Sequence, residues 1–361
     1  MPDVSVITSA HNVADARLHR LADALVRHGC TVEVIALGKS EDAPLGVHFR
    51  SAQGGNGFRY RILRDLLLPL RTTGKVVVVL APDLLPITWL VTRIRKQKLV
   101  ADIYEDYLQL LRDRSWAKGL IGALATVVAR TATMIAARAE LTTVADAQVP
   151  PFRATNRLVV RNLPDMNVLT PSGDLDEMAR AIYIGDLRSS RGLRTMIKVV
   201  ELTPKWKFDF VGAIAPDDQG FVNDWLASNP AANRATFHGR QSPINSWKLA
   251  KGAWVGLSLL ESTPAFVDAV PSKLYEYLAV GLAIISTPLP RCVTLIHESG
   301  SGVIASDPKA ISEQLIEWGD DPTALMAIRA KALAWAQDHF DAKAEYEAFA
   351  VAVEGLINRS R

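Results

Sequence analysis

The chain has 361 residues, 49 % hydrophobic and 22 % charged, with a formal net charge of +3 and two cysteines. At one domain per roughly 150 residues, this length predicts two domains, and the apolar fraction excludes a disordered chain. Cys30 and Cys292 are too few and too far apart for a disulfide scaffold, which agrees with a reduced, cytoplasmic protein.

The opening MPDVSVITSA has an acid and a strand pattern where a secretory signal has a basic region and a hydrophobic run, so no signal peptide is expected. VSVIT (4–8) is the first strand. A helix follows, with Leu18, Leu21, Ala22 and Leu25 on one face and Gly29 as its stop. Strands are predicted at 31–37, 47–49 (an edge), 76–80, 99–104, 141–145 and 158–162, and a helix at 86–98. VVVVL (76–80) is continuously apolar, as a strand covered on both faces should be. The Ala-rich stretch 116–138 approaches the ~20 residues of a membrane span. Lys118 and Arg130 interrupt it and Gly119 and Gly122 weaken it, so a buried helix is expected.

The turn-rich stretch 162–174 is the predicted linker. Beyond it the same alternation restarts, with strands at 181–185, 207–212, 235–239, 254–260, 282–287 and 301–305. Helices are predicted at 192–202, 217–228, 272–280, 308–319, 322–338 and 343–358. The expected fold is α/β, two doubly wound parallel sheets facing a central cleft. The expected domains are 1–165 and 166–342, with an amphipathic C-terminal helix in 343–361.

Charge is uneven. Residues 1–168 hold 22 Lys and Arg against 15 Asp and Glu, and residues 169–361 hold 19 against 23. Arg59, Arg61, Arg64 and Arg71 cluster near a leucine run, and Arg93, Arg95, Lys96 and Lys98 form a second group. A solvated face and peripheral contact with an anionic membrane both remain open. No recognition module accompanies the charge, so no nucleic-acid partner is expected.

Several common chemistries are missing. No G-x-G-x-x-G follows the first strand, which runs into Ser9-Ala10-His11-Asn12. Gly38-Lys39-Ser40 lacks the upstream glycine of a phosphate loop, because Glu33 stands there. The seven histidines show no H-E-x-x-H or clustered ligand spacing, and there is no G-x-S-x-G elbow. The remaining polar residues cluster at strand ends. Gly185-Asp186-Leu187-Arg188-Ser189-Ser190-Arg191-Gly192 joins a strand to a helix. Its N–H groups can receive phosphate, and Arg191 adds a forked positive charge. An ordinary turn with solvated arginines is the plainer alternative. PSKLYEY (271–277) opens a helix in which Ser272 and the first-turn N–H groups suit phosphate, and Glu276 suits two vicinal hydroxyls. Equally, Ser272 is a simple N-cap, and Glu276 pairs with Lys273 or Arg291.

PSKLYEYLAVGLAIIST (271–287) resembles the donor-domain segment of the GT-B glycosyltransferases, in particular the retaining family 4-like group. The resemblance covers nearly the whole chain, and implies that the helix in 343–361 crosses back to the first domain. It implies a paired acidic motif with seven residues between its members, here Asp268, a shorter acid than the family's glutamate, and Glu276. Glu276 would hold ribose hydroxyls and Asp268 would approach the donor sugar. The family's phosphate turn maps onto Gly185, Asp186, Leu187, Arg191 and Gly192. Arg191 stands for a lysine, Asp186 replaces an arginine, and Arg188 is the nearest substitute. Phe237-His238-Gly239-Arg240 resembles the loop bordering the base. On the acceptor side it points to His11, Asp15 and Arg17, to Asp83, and to Tyr104 and Glu105, with Tyr104 where relatives often have a histidine.

The implied enzyme is a retaining hexosyltransferase using a UDP- or GDP-sugar, with Arg191 and Lys273 stabilising the leaving diphosphate. It needs no metal or resident cofactor. The implied acceptor is a glycan, a lipid-linked sugar or a small molecule of envelope biosynthesis. The expected location is the cytoplasm, with possible residence on the inner membrane face. A degenerate sugar-nucleotide or glycan binder and a GT-B epimerase are the alternatives.

Overall fold

A computed structural model of the chain describes residues 1–52, 58–112, 117–164, 169–241, 243–264 and 266–359. Part of the expected linker, 165–168, and Trp116 at the start of the Ala-rich stretch fall outside them, as do the side chains of Arg59 and Arg61. The chain divides into two compact units. One is Met1–Asn162 with Asp341–Arg361, the other Leu163–Phe340.

The first unit runs β1 (Val4–Asn12), α1 (Ala16–Arg27), β2 (Val32–Leu37), β3 (His48–Ser51), α2 (Phe58–Leu67), β4 (Val76–Val79), α3 (Leu85–Arg95), β5 (Lys98–Ile103), α4 (Tyr107–Arg112), α5 (Gly119–Ala136), β6 (Leu141–Val144) and β7 (Arg157–Val159). The second runs β8 (Arg180–Ile184), α6 (Leu193–Leu202), β9 (Lys207–Val211), α7 (Pro216–Ser228), β10 (Ala235–Gly239), α8 (Pro243–Leu249), β11 (Val255–Ser258), α9 (Ser272–Val280), β12 (Ala283–Ser286), α10 (Pro290–Ser299), β13 (Gly302–Ile304), α11 (Pro308–Asp320) and α12 (Pro322–His339). The last helix, α13 (Ala342–Asn358), returns to the first unit.

The first sheet has strand order β3-β2-β1-β4-β5-β6-β7 and the second β10-β9-β8-β11-β12-β13. Every paired strand is parallel. Parallel strands need helical crossovers, which cover both faces. Accordingly all four valines of β4 are fully buried. In the first unit, α1 and α13 close one face, where Leu18, Leu21 and Leu25 pack with Tyr346, Phe349 and Val353. On the other face, Leu84 and Leu85 at the start of α3 and the small residues Ala129, Ala132 and Ala136 of α5 pack together.

Helix α5 corrects an expectation. Its 18 residues have a mean hydropathy of 1.6, yet only 22 % of them are buried. Gly122, Ala129, Ala132 and Ala136 face the sheet, while Leu120 is 90 % exposed and Leu124 67 %. A helix that is apolar all round has no polar face to mark its outer side. Its small residues pack inward and its large ones outward.

Candidate functional site

In the second unit, β8 and β11 lie side by side at the point where strand order reverses. Open α/β sheets bind ligands at the carboxyl ends of strands at such a switch point. Two loops start here: the Gly185–Gly192 turn after β8, and residues 259–271 after β11. They are drawn together closely. The Glu261 N–H donates to the Ser190 carbonyl (3.0 Å), and a Cβ on Gly192, at φ +83°, would fall 2.1 Å from the Leu259 oxygen. Gly212, the residue after β9, presses on the Gly185 end of the turn. At φ +152°, its Cβ would lie 1.9 Å from the Gly185 oxygen. Only glycine permits both approaches. Within the turn, the Asp218 carboxylate accepts the Ser189 N–H (2.9 Å) and its hydroxyl.

Helix α9 begins next to this turn. Its N-cap is Pro271, with no side-chain cap, so Ser272 is its first helical residue and not the cap. The first-turn N–H groups have no partner within the helix. Lys273 turns inward and is only 6 % exposed. Its Nζ lies 3.6 Å from the centroid of the Tyr183 ring and has no hydrogen-bond partner among the described residues. A Cβ added to Gly185 would stand 3.1 Å from it. Burial pushes the Lys273 ammonium well below the usual lysine range; Arg191 adds to this, and Glu276 and Asp186 oppose it. The Tyr183 hydroxyl donates to the Asp186 carbonyl (2.9 Å). Burial raises that phenol to about 12, against the pull of Arg191. The Nε of Arg191 is also buried without a partner among the described residues. Buried polar groups are nearly always satisfied. Two cationic side chains, each with a buried nitrogen unsatisfied among the described residues, beside a glycine turn and a helix N-terminus, have the chemistry to receive an anion.

The other expected residues of this unit take definite places. The Asp186 carboxylate pairs with Arg188 (3.1 Å) and with the exposed Arg240 (3.5 Å). Arg188 is thus held by Asp186. The Gly239 carbonyl accepts the Gly212 N–H (2.9 Å), tying the base-side loop to the end of β9. Glu276 is half-buried one turn beyond Ser272, and Asp268 is exposed, with its carbonyl accepting from Arg291 (3.0 Å). The structure therefore brings Gly185, Asp186, Arg191, Lys273 and Glu276 into one electrostatic cluster and joins Arg188 and Arg240 to it through Asp186. No described contact joins Asp268 to it.

In the first unit the same reversal falls between β1 and β4. The Ser9 hydroxyl bridges the two strand ends to both Asp83 oxygens (2.9 and 2.7 Å). His11 Nδ1 lies 3.2 Å from the Thr8 hydroxyl, and its ring meets Tyr104 edge-on at 5.1 Å. Burial, then the charge of Glu105, raises the Tyr104 phenol. Asp15 caps α1, accepting the N–H groups of Arg17 (2.9 Å) and Leu18 (3.0 Å). Arg17 departs from its expected place on the acceptor side. It is 5 % exposed and forks onto Asp102 at 2.7 and 2.6 Å, with its third nitrogen on the Val160 carbonyl (2.9 Å). Its donors are consumed inside the unit because Asp102, buried at the end of β5, requires a counter-charge.

Sequence reasoning missed Tyr183 and Asp218. Tyr183 sits in an apolar strand, where it reads as core. Asp218 lies on α7, far along the chain from the turn it holds. Among the described residues, no group of three or more His, Cys, Asp or Glu side chains could hold a metal ion.

The two units, each with a Rossmann-like parallel sheet, define a GT-B fold. Residues 172–335 match the family model "Glycosyl transferases group 1", and the chain is classed as a glycosyltransferase. Among solved structures it is similar to sucrose-phosphate synthase from Thermosynechococcus elongatus, with a TM-score of 0.76 and 13 % identity over 99 % of this chain and 100 % of that one. It is also similar to HepE of Anabaena, solved in complex with UDP and glucose, with a TM-score of 0.72 and 14 % identity over 98 % and 100 %. A third is WaaG, a glycosyltransferase involved in lipopolysaccharide biosynthesis, with a TM-score of 0.67 and 14 % identity over 98 % and 100 %. No curated protein matches the chain in sequence.

Proposed function

We propose that the chain is a retaining hexosyltransferase that binds a nucleoside diphosphate sugar at the carboxyl end of the second sheet. It passes the sugar to a hydroxyl of a glycan, lipid-linked or small-molecule acceptor. The carrying observation is the buried, unpartnered Lys273 ammonium beside the Gly185–Gly192 turn. A diphosphate there supplies the missing acceptors for Lys273 and Arg191. As the glycosidic bond breaks, negative charge grows on the leaving phosphate. These two cations and the first turn of α9 stabilise it, and one well-placed donor of this kind is worth about 3 kcal/mol. Glu276, on the same helix, takes the ribose hydroxyls, and Asp268 approaches those of the sugar. The acceptor proton passes to a diphosphate oxygen on the same face, which retains configuration. Acceptor residues come from the first unit, with His11, Asp83, Tyr104 and Glu105 at its strand ends. UDP is the first nucleotide to test, because HepE was solved with it.

The deciding experiment is calorimetric binding of UDP, GDP, ADP and dTDP and their common sugars to the native protein and to Glu276→Ala. The expected result is one nucleotide series that binds the native chain and loses at least tenfold in the variant. Equal affinity in both proteins removes Glu276 from the ribose site. A folded native protein that binds none of them overturns the donor site.

A further inference from the structure

Of the large apolar side chains left exposed among the described residues, more than half lie on α2 and the turn after it, α3 and α5. All three helices belong to the first unit. Helix α3 packs on α5 and also on the turn that follows α2. On α5, Leu120, Leu124, Val127 and Met134 are each more than half exposed. Their spacings of four, three and seven residues place them in one stripe along the helix. On α3, Ile94 is 73 % exposed and Leu90 51 %, with Trp89 beside them.

The charges on α3 and α5 themselves have one sign, and the first acid after α5, Glu140, pairs with Arg93 (3.5 Å). Residues 84–101 contain no Asp or Glu, and carry Arg93, Arg95, Lys96 and Lys98. Residues 117–139 contain none either, and carry Lys118, Arg130 and Arg138. Lys118 is the N-cap of α5; Arg130 and Arg138 lie toward and beyond its other end, and all three are exposed. The outer face of a helix in a globular domain ordinarily mixes charge signs and lacks a long apolar stripe. An apolar stripe between exposed cations fits an anionic bilayer surface, where the stripe enters the acyl boundary and the cations meet the headgroups.

We propose that the outer face of α3 and α5 docks the protein on an anionic lipid bilayer, with α5 lying in the plane of the interface. Spanning is disfavoured by the packing. Gly122, Ala129, Ala132 and Ala136 hold α5 against its own unit, and insertion across the bilayer would strip them away. A second copy of the chain is a poor occupant, since it would bring the same positive rim against this one. This surface is distinct from the donor site, so either reading can fail without the other.

The test is sedimentation of the full chain with vesicles of pure phosphatidylcholine and with vesicles carrying about 30 % phosphatidylglycerol. Three proteins are compared: native, Leu124→Asp with Val127→Asp, and Lys118→Ser with Arg130→Ser and Arg138→Ser. All five positions are exposed or cap an exposed end, and circular dichroism with melting curves confirms that the variants fold. The native chain should bind the anionic vesicles at least tenfold more tightly than the neutral ones, and less tightly as salt rises. Both variants should lose at least tenfold, with nucleotide binding unchanged. Equal binding to both vesicle types, no binding to either, or anionic binding that survives the Asp pair overturns the proposal. A concentration-dependent native dimer that the Asp pair dissociates, without vesicle binding, assigns the face to a second copy and also overturns it.

Discussion

The ammonium of Lys273 rests 3.6 Å from the centroid of the Tyr183 ring, so the face of an aromatic side chain, and no hydrogen-bonded carboxylate, faces this buried cation. Cation–π attraction at a desolvated site reaches about 2 kcal/mol. That does not replace the hydration a lysine gives up.

Lys273→Met should therefore stabilise the protein while disabling it. An unsatisfied buried polar group costs about 1–3 kcal/mol, and methionine fills a similar volume. Differential scanning fluorimetry should show a higher melting temperature, by a few degrees at about 2–4 °C per kcal/mol. Calorimetry should show nucleotide affinity at least tenfold weaker. A lower melting temperature would mean that the lysine is satisfied in the folded protein.

Nucleotide binding should draw in protons. The free Lys273 ammonium titrates well below the usual lysine range, and a bound diphosphate favours the charged form, so binding raises its pKa. Titrations at several pH values between about 7 and 10, each in two buffers of different ionisation enthalpy, should differ by the heat of proton uptake at one or more of them. Identical heats at every pH would place the phosphates elsewhere.

Alkaline stability should carry two opposing signs. Burial raises the phenols of Tyr183, to about 12, and of Tyr107 and Tyr277. Above about pH 10 the unfolded chain loses these protons while the folded chain keeps them. Stability is therefore lost as pH climbs from there. Lys273 acts the other way: its folded pKa is depressed, so its penalty is relieved as pH rises toward the unfolded value. Urea titrations from pH 8 to 11 should show stability falling above pH 10 in the native protein. Lys273→Met, which has no relief to gain, should fall more steeply. Parallel curves would contradict the lysine assignment.

Gly192→Ala should destabilise the second unit by about 3 kcal/mol, since it adds a left-handed strain to a Cβ 2.1 Å from the Leu259 oxygen. Urea denaturation measures it. A loss below about 1 kcal/mol would mean that the two loops separate easily.

Arg17→Met and Asp102→Asn should each cost about 3–5 kcal/mol, because each leaves the partner buried and uncompensated. The double change Arg17→Met with Asp102→Asn should cost less than the sum of the single losses. Simple additivity would return Arg17 to a role outside the core.

The parallel strands and most long helices were legible because burial on both faces leaves continuous apolar runs such as 76–79. Helix α10 was not, because Pro288 and Pro290 around Leu289 read as a turn, although Pro290 in fact occupies the first helical position, where it is well tolerated. The motif 271–287 marked the start of α9 directly. The depth of Lys273 was invisible in it, since that depth depends on Tyr183, ninety residues earlier. Arg17 was expected on the acceptor side, but its attraction to Asp102, eighty-five residues later, which withdraws it from solvent, leaves no local signal.

The return of α13 to the first unit has a consequence for how the chain matures. The second unit is one continuous stretch and has its whole core once Phe340 has been made. The first unit begins earlier and finishes later, because Tyr346, Phe349 and Val353 cover the apolar face shared with α1. During synthesis that face stays uncovered while the entire second unit is made, and domains that fold in sequence are open to misassembly in such intervals. The last helix acts as a late latch, and a ribosome that stalls after residue 340 releases a finished second unit joined to an unfinished first one.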